Sequence, residues 1–375
     1  MGNNIYPYWL VVKNKQINIL ISGNLSTTPR AKQFIADARE AGFIVQILVV
    51  NRSQKWAALD KKMLYGLRNR QINIASCWSI SYVLFKLFQF AFGDKALPKL
   101  MAFYANSLFN NEYPWAVFSS GGFYAAPYLK KPPVFMDVED YYPGEDQSEV
   151  ESREVGEWKS ILRIPKVLAF SSLEFPKTAQ ISTFNLVPNQ SVLWEVKTQA
   201  NPPSGKLKLV WFGQVIGERR GLQSVITALI GKKNIELHLI GQARPAILNL
   251  AKGASNIIFH GVLDESSLAK KLIEMDLGLN TDLGENANNE LLWSNKLSAY
   301  HQSALPVLTT KTTGSLSFCE YFKPCAFFFS DEISLMEGIR SFEQQKGHFQ
   351  EKANASLLAE KGKLCGYKQI LPHFE

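Results

Sequence analysis

What most limits the folds open to this chain is a pattern that occurs twice. Short apolar runs, each ending at glycine or at polar residues, are separated by stretches with helical periodicity. In the first series, residues 17–22 make such a run and stop at Gly23 and Asn24. Pro29 then opens a helix over residues 30–40 with Phe34, Ile35 and Ala38 on one face, and Gly42 closes it. Residues 43–50, 115–119, 133–137 and 166–171 are further runs. The second series starts with residues 207–212 entering Gly213, followed by a helix from about Gly221. Runs at 235–240 and 256–260 enter Gly241 and Gly261, a helix covers 265–275, and strands are expected at 277–281, 307–310 and 326–329. Strands spaced by helices argue for βαβ units and parallel sheets. The expected fold class is α/β, with two Rossmann-like domains whose parallel sheets face a cleft.

A chain of 375 residues also exceeds what one hydrophobic core usually supports. Residues 197–205, with two prolines, a serine and a glycine, read as the linker. The expected domains are residues 1–197 and 206–355. A C-terminal helical segment, 356–375, is expected to pack back on the first domain, within a helical stretch that starts near 333.

Composition narrows the function. The chain is 46% hydrophobic and 20% charged, a globular balance. Its four cysteines (Cys77, Cys319, Cys325, Cys365) form no CxxC pair, and the five histidines form no HExxH. Disulfides and structural zinc are not expected, and a reducing, cytoplasmic setting fits. Residues 1–15 carry only a short apolar run at 8–12, so no secretory leader is expected.

Charge is unevenly spread. Residues 1–131 hold 16 Lys/Arg against 5 Asp/Glu, a balance of +11, while residues 132–200 stand at −5 and the remainder at +2. A basic first part suits either a solvated surface or attraction to an anionic membrane, a polyphosphate or nucleic acid. The absence of an RNA- or DNA-binding motif sets nucleic acid aside. The most apolar window, residues 72–92, is interrupted by Asn73, Ser76, Ser79, Ser81, Lys86 and Gln89, with Phe85, Phe88 and Phe92 at helical spacing. It reads as a helix packed at the interdomain face, as one lying in a membrane interface, or as a spanning helix.

Several clusters can carry chemistry. Gly23-Asn24-Leu25-Ser26-Thr27-Thr28-Pro29-Arg30 follows the first strand. It reads either as a plain strand-to-helix turn or as a loop whose glycine and helix N–H groups meet a ligand. Asp137, Glu139 and Asp140 place three acids within four residues at a strand end. Such a cluster positions a hydroxyl, takes a proton, holds a metal, or simply caps a turn. Gly213-Gln214 and Gly217-Glu218-Arg219-Arg220-Gly221-Leu222 follow the first strand of the second series, where Arg220 can grip phosphate through two parallel hydrogen bonds. The strand at 277–281 ends in polar residues, Asn280 among them. In residues 289–310 a loop precedes an amphipathic helix, a small-residue turn and a buried strand. Asn295 and Lys296 stand at the helix start, where backbone N–H groups favour anions.

In their order and spacing these segments resemble the GT-B glycosyltransferases, and most closely the retaining family 4 type. The resemblance runs from residue 17 to about 310 and rests on Asn295-Lys296, Tyr300, the turn Ser303-Ala304-Leu305-Pro306-Val307, the segment 213–222 and Val187-Pro188-Asn189. Asp137 to Pro143 resembles that family's Asp-x-His-Glu/Asp-x-x-Pro segment, with Glu139 at the His position. Gln214 replaces the first of two phosphate cations, and Arg220 takes the second position. A glutamate pair common in the family falls at Leu291 and Ala299, with Glu290 nearby as a substitute or helix cap.

The resemblance implies transfer of a sugar from a nucleotide-sugar donor to a glycan or lipid-linked acceptor, with retained configuration. It implies catalytic roles for Glu139, Asp140, Arg220 and Lys296. Donor contacts are implied for Gly23, Asn24, Gly213, Gln214, Arg220, Asn280, Glu290, Asn295 and Lys296. No cofactor or metal is expected, since the nucleotide-sugar is itself a substrate. Peripheral contact with the inner face of an anionic cell membrane is the expected partnership beyond the substrates. A non-catalytic GT-B-like binding protein and a GT-B sugar-nucleotide epimerase are the alternatives.

Overall fold

The computed structural model describes residues 15–23, 28–50, 73–76, 90, 93, 96–143, 152–189, 205–217, 221–363 and 366–375. The strands are β1 (Gln16–Ser22), β2 (Ile44–Val50), β3 (Asn73–Ser76), β4 (Trp115–Phe118), β5 (Phe135–Val138), β6 (Val167–Phe170), β7 (Asn185–Leu186), β8 (Leu207–Ile216), β9 (Ile235–Ala243), β10 (Ile257–Gly261), β11 (Leu277–Asn280), β12 (Val307–Thr310) and β13 (Ala326–Phe329). One sheet has the order β3-β2-β1-β4-β5-β6-β7 and the other β10-β9-β8-β11-β12-β13. Parallel pairing runs through both, as in β1 with β2 and β4, or β8 with β9 and β11. The α/β expectation therefore holds.

Two compact units divide the chain: residues 1–135 with 367–375, and residues 136–366. In the first, β1 is buried on both faces, which is why its sequence is a nearly unbroken Ile/Leu run rather than an alternating one. Within that run the buried polar residue Asn18 donates to the carbonyl of Asn110 at 3.0 Å. The helix Pro29–Glu40 starts on a proline that needs no intrahelical N–H partner. Its Phe34 stacks on Phe135 at 5.4 Å and meets Tyr367 edge-on at 5.5 Å. Residues 367–375 thus complete this core, and Asp37 accepts the Tyr367 N–H at 2.6 Å.

In the second unit, β8 shows the period-2 logic of a strand between two helix layers. Leu209 and Trp211 enter one apolar cluster with Leu222 and Ile226 of the helix that follows, whereas Val210 enters another with Trp293, Tyr300, Phe318 and Phe322. Strands β8 and β9 run past the glycines at which they were expected to stop, through a bulge between Phe212 and Val215.

Other elements depart from expectation as well. The apolar window at 72–92 opens with β3, so a single helix over the whole window is ruled out; Phe85, Phe88 and Phe92 lie outside the described residues. Most of the linker expected at 197–205 lies outside them too. Part of the loop before Asn295 is a short helix, Ala287–Leu291, capped by the Asn286 side chain on the Asn289 N–H. The C-terminal helical stretch breaks at Gln345 into Glu332–Gln344 and Lys346–Glu360.

Candidate functional site

Strand order locates the site in the second unit. From β8 the chain goes first to β9 and β10 on one side, then to β11, β12 and β13 on the other. Beyond the carboxyl ends of β8 and β11 the connections part, leaving the crevice where open α/β sheets take ligands. The helix Leu222–Leu229 begins here, after Gly221 in the left-handed conformation at φ 63°. A Cβ on Gly221 would sit 2.8 Å from the Thr281 carbonyl oxygen, so only glycine fits between the two strand ends.

At the end of β11, Asn280 donates to Thr309 Oγ1 at 3.0 Å, and Trp211 Nε1 donates to Thr281 Oγ1 at 3.1 Å. Thr310 Oγ1 donates to the Asp282 carbonyl. Tyr300, on the helix Asn295–Gln302, reaches under the same point and donates its hydroxyl to the carbonyls of Val210 and Leu279. Burial pushes that phenol well above its usual pKa, so it stays a neutral donor.

Lys296 is 3% exposed. Its Nζ lies 3.2 Å from Asp282 Oδ2, 3.3 Å from Ser294 Oγ and 5.5 Å above the Trp211 ring. Its charge is thus already matched by a carboxylate in a low-dielectric setting. Asn295, the first residue of the same helix, is exposed. Gly213 sits over the Trp211 ring, and Gln214 beside it faces solvent.

Glu290 has a structural engagement that the sequence only half suggested. One of its oxygens accepts the Thr313 backbone N–H at 2.8 Å and the Thr313 hydroxyl, which caps the helix Thr313–Phe322 rather than its own. Ala299, at the second position of the glutamate pair, is buried in apolar packing.

Sequence reasoning missed a polar junction in the same unit. The Asn288 side chain accepts the Tyr141 N–H at 2.8 Å and donates to Asp140 Oδ1 at 3.3 Å. Ser172 Oγ donates to the Leu291 carbonyl at 2.8 Å, and Ser171 Oγ to that of Glu139 at 2.6 Å. The acidic strand end after β5 and the 287–291 helix are therefore fastened together, with Asp140, Asn288 and Glu290 in one neighbourhood. Capping by Asn286 in the Asn286-Ala287-Asn288-Asn289 run was the available signal. The carboxylate that Asn288 holds lies 148 positions away, out of reach of any local pattern.

Gly23 belongs to the first unit, where its N–H donates to the Val50 carbonyl at 2.8 Å. Ser119 stands beside it in that unit, in a left-handed conformation at φ 67°, with its hydroxyl on the Ser22 carbonyl at 2.6 Å. Asn24 and Arg220 lie outside the described residues. Among the described residues no group of three or more His, Cys, Asp or Glu side chains is placed to hold a metal ion.

No protein-family model matches this sequence, and no curated protein matches it. Solved structures do. HepE from Anabaena, in complex with UDP, is 11% identical with a TM-score of 0.62, over 95% of this chain and 97% of that one. Sucrose-phosphate synthase from Thermosynechococcus elongatus is 13% identical with a TM-score of 0.66, over 95% and 96%. A TarM variant of S. aureus, in complex with fondaparinux, alpha-GlcNAc-glycerol and UDP, is 8% identical with a TM-score of 0.70, over 96% and 98%. At such identities the likeness defines the fold, and the fold is GT-B.

Proposed function

We propose that this protein is a glycosyltransferase that moves a sugar from a nucleotide-sugar to a glycan or lipid-linked acceptor, with retention of configuration. The observation that carries the reading is the crevice beyond β8 and β11. It brings together the start of the Leu222–Leu229 helix, the polar end of β11 and the Lys296–Asp282 pair. A diphosphate leaving group gains charge as the sugar departs, and oriented N–H groups with a cation at that point stabilise it. The solved complexes of similar fold that contain UDP support a nucleotide as the ligand.

In this reading Arg220 supplies the second phosphate cation that the family resemblance implies, and Lys296 acts through the ion pair that fixes the crevice wall. Gly213, Gln214, Asn280, Asn295 and Glu290 shape the donor side. Gly23 and Asn24 keep the donor contacts that the family resemblance implies for them. Glu139 and Asp140 orient the acceptor hydroxyl and receive its proton. No cofactor or metal enters the scheme.

A thermal-shift series against UDP, GDP, CMP and dTDP sugars tests it, because a ligand that binds only the folded state raises Tm by mass action. One nucleotide class should stabilise the protein, and Arg220→Ala should abolish that shift without lowering the unliganded Tm. No shift with any nucleotide sinks the proposal. Binding without release of nucleoside diphosphate marks a non-catalytic protein, and release of free sugar through an epimerised product marks the epimerase.

A further inference from the structure

A diphosphate carries several negative charges, and the crevice residues described above offer little positive charge to meet them. The Lys296 ammonium is held by Asp282 at 3.2 Å. Gln214 stands exposed at the position where the family resemblance expects a cation. A cation from outside the family's pattern stands close by.

Strands β8 and β9 continue side by side past Gly213 and Gly241, with Val215 opposite Gln242 and Ile216 opposite Ala243. Arg244 follows directly, and its backbone N–H donates to the Ile216 carbonyl at 3.0 Å. Its side chain lies against Gly217, the first residue past β8. A Cβ on Gly217 would meet Arg244 Cδ at 3.4 Å, Nε at 3.5 Å and Cζ at 3.8 Å, and no other atom outside its chain neighbours lies nearer. Gly217 does not adopt the left-handed conformation that favours glycine, so the backbone gives no reason for it. Its missing side chain instead leaves a seat for the guanidinium. Strand β8 lies between β9 and β11. An arginine rooted past β9 and resting over Gly217 is therefore displaced toward the crevice.

Local structure does not account for an arginine here. Arg244 is the N-cap of the helix Pro245–Leu250 and makes no side-chain cap hydrogen bond. That position ordinarily takes Ser, Thr, Asp or Asn, and a cation there meets the positive end of the helix. The side chain is exposed, and no carboxylate among the described residues pairs with it. A planar guanidinium can grip a phosphate through two parallel hydrogen bonds, which an amide such as Gln214 cannot match in charge.

We propose that Arg244 is a donor-binding residue, supplying to the diphosphate the positive charge that is absent at Gln214. The assignment rests on the sugar-transfer reading and names a residue that the family resemblance does not.

Calorimetric titration of the full chain with UDP, GDP and dTDP tests it. The parent should bind at least one of these diphosphates, and Arg244→Ala should weaken that binding by about ten- to a hundredfold, as for loss of charge-assisted hydrogen bonds. Gln214→Arg in the Arg244→Ala background should recover most of the loss, because it returns a cation to the position the family uses. A purely structural arginine would not be rescued in this way. The unliganded Tm should hold in Arg244→Ala and in Arg244→Gln, since the side chain is on the surface. Equal diphosphate affinity in the parent and Arg244→Ala overturns the assignment and leaves the sugar-transfer reading intact. Weaker binding accompanied by a lowered unliganded Tm in both variants also overturns it, by assigning Arg244 to the fold. A parent that binds no diphosphate removes the sugar-transfer reading and this assignment with it.

Discussion

Lys296 shows how burial turns a sequence motif into a different physical object. Read as part of a linear pattern, an Asn-Lys at a helix start offers a cation to phosphate; in the fold, that lysine faces Asp282 at 3.2 Å with almost no solvent contact. Lys296→Ala strands a buried carboxylate and should cost about 3–5 kcal/mol in urea unfolding. Lys296→Met with Asp282→Leu should recover most of that, and a single variant with unchanged midpoint would remove the pair from the stability account. His301, on the same helix, packs against Phe318 and Phe322, and burial lowers its pKa to about 4. In the unfolded chain it takes up its proton near pH 6.5. Stability should therefore be lost as pH falls from about 6.5 to about 4, by about 3 kcal/mol from this group, and level off below. His301→Leu should flatten that part of the curve; an unaltered slope would assign it to other groups.

At the level of elements, β8 and β9 depend on two glycines meeting back to back. A Cβ on Gly241, which sits at φ 140°, would lie 2.1 Å from the Gly213 carbonyl oxygen. Gly241→Ala should cost several kcal/mol, since the clash is with backbone that cannot swing away. Its measure is the guanidinium midpoint, with loss of any nucleotide-induced Tm shift if the strand ends separate. Retention of both would show that the strands have room to part. The same close approach explains why both strands continue where a glycine ordinarily signals an end.

For the molecule as a whole, the last nine residues join the first unit although they follow the second in sequence. Tyr367 and Phe374 insert into the cluster of Phe34, Phe118 and Phe135. Deleting residues 367–375 should cost the first unit about 5 kcal/mol or more, from two buried aromatic side chains. Calorimetry should show a transition at lower temperature than in the full chain. A superimposable trace would mean that these aromatics contribute little.

What could be read from the sequence follows the range of each interaction. Apolar runs such as Ile17 to Ile21 and Leu277 to Leu279 announce buried strands without help, and Pro29 with Gly42 bounds a helix, because these signals act within a few residues. The order of such units was enough for α/β and for the likeness to GT-B folds. The Asn295-Lys296 helix start was equally visible, since it is a local backbone requirement, whereas Gly213 and Gly241 signalled strand ends that the fold carries through. Side-chain pairing was not. That Asp282 neutralises Lys296, that Glu290 caps the helix at Thr313, and that Asn288 holds Asp140 depend on which strand ends the sheet sets side by side. Where buried strands and helix starts fall is written residue by residue, through burial and backbone geometry. Which charges face one another is settled in the folded chain, because a hydrogen bond or ion pair forms wherever partners come within about 3 Å, however far apart they are in sequence.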